Sequence, residues 1–270
     1  MRTAEWTNLV FFSLLTVLAW LQHVPQHHRV MATGFGLIGI ALSVLPQLTD
    51  HSSWAIPTLR DWLPAGLIPL AYWQTGAFFP KRKRELEHRL QDFDRKLFSL
   101  WSRSRVDLKG HQLLNTYLEL AYSLCYALIP GGLAVLYLSG QKSQTNWYWA
   151  VILPPTYLCY LATVFVHVLP PRLLEAGQEH GTTVSMVRRF NLWMLQNTSI
   201  KFATLPSAHV ASTIAASLAL LWLAPAAGVI FLTLSFTIAV GAVTGRYHYA
   251  ADVLLGALLA LAVFIVQVAR

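Results

Sequence analysis

Eight stretches of the chain contain no Asp, Glu, Lys or Arg: Trp6 to Leu21, Val30 to Leu48, Trp62 to Phe79, Leu120 to Leu138, Trp147 to Leu169, Ala208 to Leu223, Gly228 to Val243 and Val253 to Val268. Runs of this kind have few environments open to them. A membrane-spanning helix needs about 20 mostly apolar residues, and in hydrocarbon each backbone N–H and C=O must be satisfied within the segment, as a helix does. The pattern predicts an all-α polytopic membrane bundle with about eight spans. Composition agrees: 55% of the 270 residues are hydrophobic and 12% charged, against about 25% charged in soluble domains. That excludes a disordered chain and argues against a soluble enzyme. A net charge of +8 would suit nucleic acid, but in a membrane protein Lys and Arg set topology or meet anionic headgroups, so the expected partner is the lipid bilayer. Cys125 and Cys159 lie inside apolar stretches and support neither a disulfide framework nor a cysteine metal site.

Three regions follow: amino-terminal membrane helices over 1–79, a basic amphipathic helix over 80–111, and a membrane core over 112–270. The first stretch lacks a small-x-small cleavage site and reads as a retained span. Pro64 and Pro69 predict that the third is kinked or only dips into the bilayer. The basic region opens with Lys81-Arg82-Lys83-Arg84 and runs to Lys109; within it Leu86, Leu90, Phe93, Leu97 and Trp101 recur at helical spacing, with Arg89, Asp92, Arg95 and Lys96 off that face. Such a helix lies in the membrane interface, its charges either fixing orientation or binding headgroups. Trp147, Tyr148 and Trp149 read as part of an interfacial aromatic belt.

Two polar clusters carry the chemistry. The first is Lys201-Phe202-Ala203-Thr204-Leu205-Pro206-Ser207-Ala208-His209, running straight into an apolar stretch. Pro206 suits a first helical turn and Thr204 a cap, which would leave the amides of Ser207, Ala208 and His209 pointing out of a helix end suited to an anion. The second is Thr244-Gly245-Arg246-Tyr247-His248-Tyr249-Ala250-Ala251-Asp252. His248 and Asp252, four apart, share a helical face, so the carboxylate can fix one imidazole nitrogen and leave the other as nucleophile or base. Two membrane crossings separate the clusters, which brings His209 and His248 to one face. Parity brings Pro170-Pro171-Arg172 there too, so Arg172, Lys201 and Arg246 can form a cationic clamp for a phosphoryl group.

Pro206-Ser207-Ala208-His209 followed by His248-x-x-x-Asp252 resembles the second and third motifs of the type 2 phosphatidic acid phosphatase superfamily, over the chain from about Leu120 onward. Pro170-Pro171-Arg172 is similar to the first motif of the branch that includes inositol phosphorylceramide synthases, as are, more weakly, Arg60-Asp61-Trp62-Leu63-Pro64 and Asp94-Arg95-Lys96-Leu97-Phe98. The resemblance implies a lipid phosphatase or phosphotransferase built on a six-helix core with extra amino-terminal helices. His248 would be the nucleophile forming a phosphohistidine, Asp252 its orienter, and His209 the group that protonates the leaving alcohol and activates the acceptor. Ser207 and Arg172 would hold phosphate oxygens, and neither metal nor cofactor is implied.

The match has departures. The phosphatase branch carries a lysine seven residues before the first-motif arginine, where this chain has Phe165, and Leu173 replaces the usual following proline. That branch also has an arginine six residues before the third-motif histidine, where this chain has Ala242. Arg246 and Lys201 are the nearest substitutes, and the departures favour the transferase-like branch, for which Glu175, Glu179 and His180 are candidate acceptor contacts. The positive-inside rule puts the histidine face, which shares a side with Lys81 to Lys109, in the cytoplasm. The resemblance implies instead a bacterial cytoplasmic membrane with an extracytoplasmic active site. Two other readings fit the same residues: a transporter or lipid-binding protein using the histidines as a proton relay, and a zinc site of His209, His248 and Asp252.

Overall fold

All eight apolar stretches are helical over most of their length in the computed structural model, which describes residues 1–22, 24–48, 55–78, 81–101, 112–174, 185–200, 202 and 205–269. The described residues form α1 (Thr3–Leu21), α2 (Gln26–Leu48), α3 (Ala55–Thr75), α4 (Arg84–Trp101), α5 (Gln112–Ser123), α6 (Cys125–Leu138), α7 (Thr145–Phe165), α8 (Pro171–Leu174), α9 (Met186–Asn197), α10 (Ala208–Leu223), α11 (Pro225–Thr244) and α12 (Ala250–Val268). The bundle is all-α and polytopic. Against the eight spans expected, length and apolarity qualify five among the described residues, namely α1, α2, α7, α11 and α12, and six if α5 and α6, bent 59° from each other, count as one. The shortfall has two causes. Helix α3 runs unbroken through Pro64 and Pro69 but carries Arg60 and Asp61, and α10 has only 16 residues, roughly 24 Å at 1.5 Å per residue.

Helix α10, bounded by the Ser207 cap and by Pro225, is the centre of the bundle. Ala211, Ala215, Ala216 and Ala219 are fully buried, and these small side chains let α6, α7, α11 and α12 pack around it, the usual means of helix association where lipid is as apolar as the interface. Its hydroxyls are satisfied locally: Thr213 donates to the His209 carbonyl (2.8 Å), and Ser217 pairs with Ser235 of α11 (2.8 Å).

The amino-terminal helices α1 to α3 pack on one another and, through α1 and α3, on α7. A buried polar cluster fixes them at one end of the bundle. Asp61 accepts from Arg2 (2.5 Å) and from the Tyr137 hydroxyl (2.6 Å), while its carbonyl accepts from the Trp149 indole (2.7 Å). Beside it Arg60 grips Glu5 with two bonds (2.6 and 3.0 Å). Trp149 and Tyr148, expected in an interfacial belt, are buried. Their polar atoms reach carbonyls inside the bundle, the Tyr148 hydroxyl that of Ile129 (2.7 Å), so they belong to the core.

Helix α4 lies against the opposite end, and it differs from the expected single apolar face. Leu90, Glu87 and Asp94 are buried, whereas Phe93 and Leu97 are exposed. On a helical wheel the buried set is rotated about a sixth of a turn from the apolar stripe, so part of the stripe covers the protein and the rest faces outward. Glu87 is locked by Arg82 (2.7 to 3.0 Å) and by the Leu169 amide (2.8 Å). Burial alone would push its carboxyl up, but Arg82 and that amide hold it below its ordinary value. Lys83 N donates to the His167 carbonyl (2.9 Å), which stitches the basic run to the strand-like segment after α7.

Candidate active site

Three helix ends meet where α4 covers the bundle. Helix α11 ends in a Schellman-type turn: Tyr247 N donates to the Ala242 carbonyl (2.9 Å) and Arg246 N to that of Val243 (3.1 Å), with Arg246 at the left-handed position, φ +61°, where glycine is usual. This turn delivers His248, 5% exposed, to the start of α12. There Asp252, at the third helical position, reaches back to the Tyr249 amide (3.2 Å), half of a capping box. The same oxygen, Oδ2, meets His248 Nδ1 at 3.3 Å. Its Oδ1 is buried without a hydrogen-bond partner among the described residues.

Helix α10 begins one residue after Ser207, whose hydroxyl caps it by accepting from Val210 N (3.5 Å). The expected capping residue, Thr204, lies outside the described residues. The Ser207 amide, expected to point out of the helix end, instead donates to the Asp252 carbonyl (2.9 Å). That bond needs the two helices to touch, and Gly256 permits it: a Cβ there would sit 2.5 Å from the Ser207 carbonyl oxygen. The docking sets the ring centroids of His209 and His248 5.9 Å apart. Tyr126 stands edge-on to His209 at 5.5 Å, and His209 Nδ1 is buried with no hydrogen-bond partner among the described residues.

Arg172, in the short α8, is fixed by its backbone amide, which donates to the Arg246 carbonyl (3.0 Å), and its guanidinium lies 5.8 Å above the Tyr247 ring. Burial, with the Arg172 charge acting the same way, holds the His248 imidazole well below its ordinary value of 6.5, so it is neutral at pH 7. Arg246 turns to Asp94, its Nη1 3.8 Å from Oδ2. Thus His209, His248, Asp252, Ser207 and Arg172 converge, while the Arg246 guanidinium is directed at a carboxylate on α4. Lys201, Glu175, Glu179 and His180 lie outside the described residues.

Two supports lie outside the residues expected to carry the chemistry. Asp94 accepts from the Ala250 amide (3.0 Å), so α4 supplies a carboxylate at the N-terminus of the helix that follows His248, where the dipole favours negative charge. Its signal was present: Asp94 is four residues after Leu90 and three before Leu97, at the edge of the apolar stripe. Behind the site, buried Glu119 accepts from the Tyr247 hydroxyl (2.5 Å), from Arg188 (2.6 Å) and from Asn191 (2.8 Å). Helix α5 packs Glu119 against α9, which carries the last two. Tyr247 also stacks on Tyr122 (4.2 Å, 12°) beside buried Ala242, so aromatic rings pack around that position. A lone acid at the edge of an apolar stretch is the sequence feature that marks Glu119.

The family model described as the PAP2 superfamily matches residues 88–266, from within α4 to near the end of α12. Helices α1 to α3 lie outside that match. No curated protein and no solved structure matches the chain.

Proposed function

Since the chain belongs to the PAP2 superfamily, a group of phosphatase type, we propose that it is an integral-membrane lipid phosphatase or phosphotransferase working through a phosphohistidine at His248. The observation that carries the reading is the convergence of His248, held through Nδ1 on Asp252 (3.3 Å), with His209 at 5.9 Å between ring centroids. With Nδ1 held, Nε2 of the neutral imidazole attacks phosphorus. The P–O bond to the leaving alcohol breaks as the P–N bond forms, and His209, entering the step as the imidazolium, gives that alcohol its proton and is left neutral. Asp252 then faces the positive charge on the phosphorylated ring. In the second half His209 takes the proton of water or of an acceptor alcohol, whose oxygen attacks phosphorus and breaks the P–N bond. Ser207 and Arg172 hold the phosphate oxygens, with Lys201 a further candidate cation. No step requires a metal.

Phe165 and Ala242, where the phosphatase branch has cations, support the inositol phosphorylceramide synthase-like branch and an alcohol acceptor. The family resemblance supports an extracytoplasmic active site in a bacterial cytoplasmic membrane. Orthophosphate release from phosphatidic acid and a polyprenyl pyrophosphate, by the purified protein and by His248→Ala, tests the chemistry. Release lost in the variant supports hydrolysis. No release from either lipid turns the search to headgroup transfer, and binding without turnover by any donor sinks the enzyme reading. Vanadate inhibition together with chelator resistance separates the phosphohistidine from a zinc site. For sidedness, a cysteine at Ser143, exposed at the far end of the bundle, in a background lacking Cys125 and Cys159, is labelled only after permeabilisation if the histidines face outward.

A further inference from the structure

A predominantly apolar cavity of about 330 Å³ adjoins His209, which lines it together with Ala65, Tyr72 and Trp73 of α3, Tyr126 of α6 and Tyr160 of α7, among others. We propose that this cavity seats one hydrocarbon chain of the substrate lipid, and that α3 is the helix by which this chain selects among lipids; the proposal rests on the lipid-phosphate reading of the site.

Three observations carry it. His209 belongs both to the reacting pair and to the cavity wall, and its buried Nδ1 lacks a partner among the described residues, so the cavity begins where the phosphate is handled. The α3 contribution recurs at helical spacing, Ala65, then Ile68 and Pro69, then Tyr72 and Trp73, one continuous face of a helix outside the family match. The same helix fixes the mouth: the Trp73 indole donates to the Thr198 carbonyl (2.9 Å), and the Tyr72 hydroxyl accepts from the Ile200 amide (2.9 Å). These bonds hold the segment leading toward Ser207 against α3. Trp73 and Tyr126 are 41% and 49% exposed, which leaves the cavity open toward the bilayer from which a chain enters.

A cavity lined in this way favours hydrocarbon over water. A lipid tail leaves a medium as apolar as the cavity, so occupancy adds little gross affinity. Its effect is selection, since only a chain that fits lets the phosphate reach His248.

The direct experiment uses the unsubstituted protein in nanodiscs with a dodecyl phosphate bearing a diazirine at mid-chain. Cross-links are expected on α3 between Ala65 and Trp73 and on Tyr126, and equally in His248→Ala, which separates occupancy from chemistry. A cross-link map without α3 overturns the proposal even if phosphate is released. Cross-links on α3 with no release from any lipid uphold the cavity and overturn the phosphatase reading instead. As a second measurement, Ala65→Trp fills the cavity from a position outside the catalytic groups. Release from dodecyl phosphate is expected to fall at least tenfold relative to ethyl phosphate, and an unchanged ratio counts against the cavity. Should that variant fail to fold, the cross-link map of the native chain decides.

Discussion

Two buried carboxylates sit at opposite ends of this bundle. At the amino-terminal end Asp61 has both side-chain oxygens bonded, to Arg2 and Tyr137, and its carbonyl bonded to Trp149. At the other end Asp252 engages His248 and the Tyr249 amide through Oδ2, while Oδ1, like Nδ1 of nearby His209, lacks a partner among the described residues. An unmade hydrogen bond on a buried polar group costs roughly 1–3 kcal/mol. A cluster that closes all its bonds ties α1, α3, α6 and α7 together, whereas one that leaves atoms unpaired keeps capacity for a ligand. The comparison assigns stability to Asp61 and chemistry to Asp252, and each assignment can be broken separately.

The largest effect is expected at Asp252. Asp252→Asn preserves shape but offers His248 the wrong hydrogen-bonding partner, a change that lowers turnover about 10⁴-fold in a comparable histidine–carboxylate pair, with thermal stability near that of the native protein. Asp61→Asn should do the reverse, costing about 3 kcal/mol through the broken buried pair and lowering the melting temperature while phosphate release per folded molecule stays within about twofold. If Asp61→Asn abolished turnover in folded protein, the two ends would not be separable. Next comes Asp94, which acts on the nucleophile through the α12 terminus and is a positioning residue. Asp94→Asn should lower kcat by roughly 10–100-fold, as small misplacements do, with KM little changed; a loss in KM alone would assign Asp94 to substrate contact.

A smaller effect separates charge from position. His248 sits below 6.5 through burial and the Arg172 charge, with Asp252 at its Nδ1 and His209 facing it. Attack requires the neutral ring, so protonation of His248 should cut kcat/KM only well below pH 6.5, while loss of the His209 proton sets the alkaline limb. Arg172→Ala removes one cause of the depression, so the acid limb should move upward in pH while KM rises about tenfold or more with the lost charged hydrogen bond. An acid limb that stayed in place would mean that the Arg172 charge does not reach His248.

The membrane bundle was legible because eight stretches free of charge leave helices as the only economical choice, and the meeting of His209 with His248 because parity needs only the count of crossings between them. What could not be read was set by contacts that sequence distance hides. Ser207 N reaches the Asp252 carbonyl only because Gly256 lets α10 and α12 touch. Trp149 looked like an interfacial residue because its partner, the Asp61 carbonyl, is 88 positions away. The Arg246 and Asp94 pair joins a tight turn to a helix that periodicity had assigned to the membrane surface, with no local pattern connecting them. Length and apolarity qualify fewer helices than the eight charge-free stretches because α10 has only 16 residues and α3 carries Arg60 and Asp61.

The finest test concerns Arg246, where sequence and structure give different partners. Its left-handed backbone costs a non-glycine residue roughly 1–2 kcal/mol, and Arg246→Gly would relieve it. The glycine would add back roughly 0.5–1 kcal/mol through backbone entropy and forfeit an ion pair with Asp94 at 3.8 Å, worth at most about 1 kcal/mol at a partly exposed site. These terms nearly cancel, so the melting temperature should barely move. With the guanidinium directed at Asp94, KM for a lipid phosphate should change less than about threefold, and any loss should fall on kcat as Asp94 loosens its hold on the Ala250 amide. A tenfold rise in KM at unchanged melting temperature would return Arg246 to the phosphate, as a replacement for the cation that Ala242 lacks, and would make the site at the His248 end more strongly cationic than its resting geometry displays.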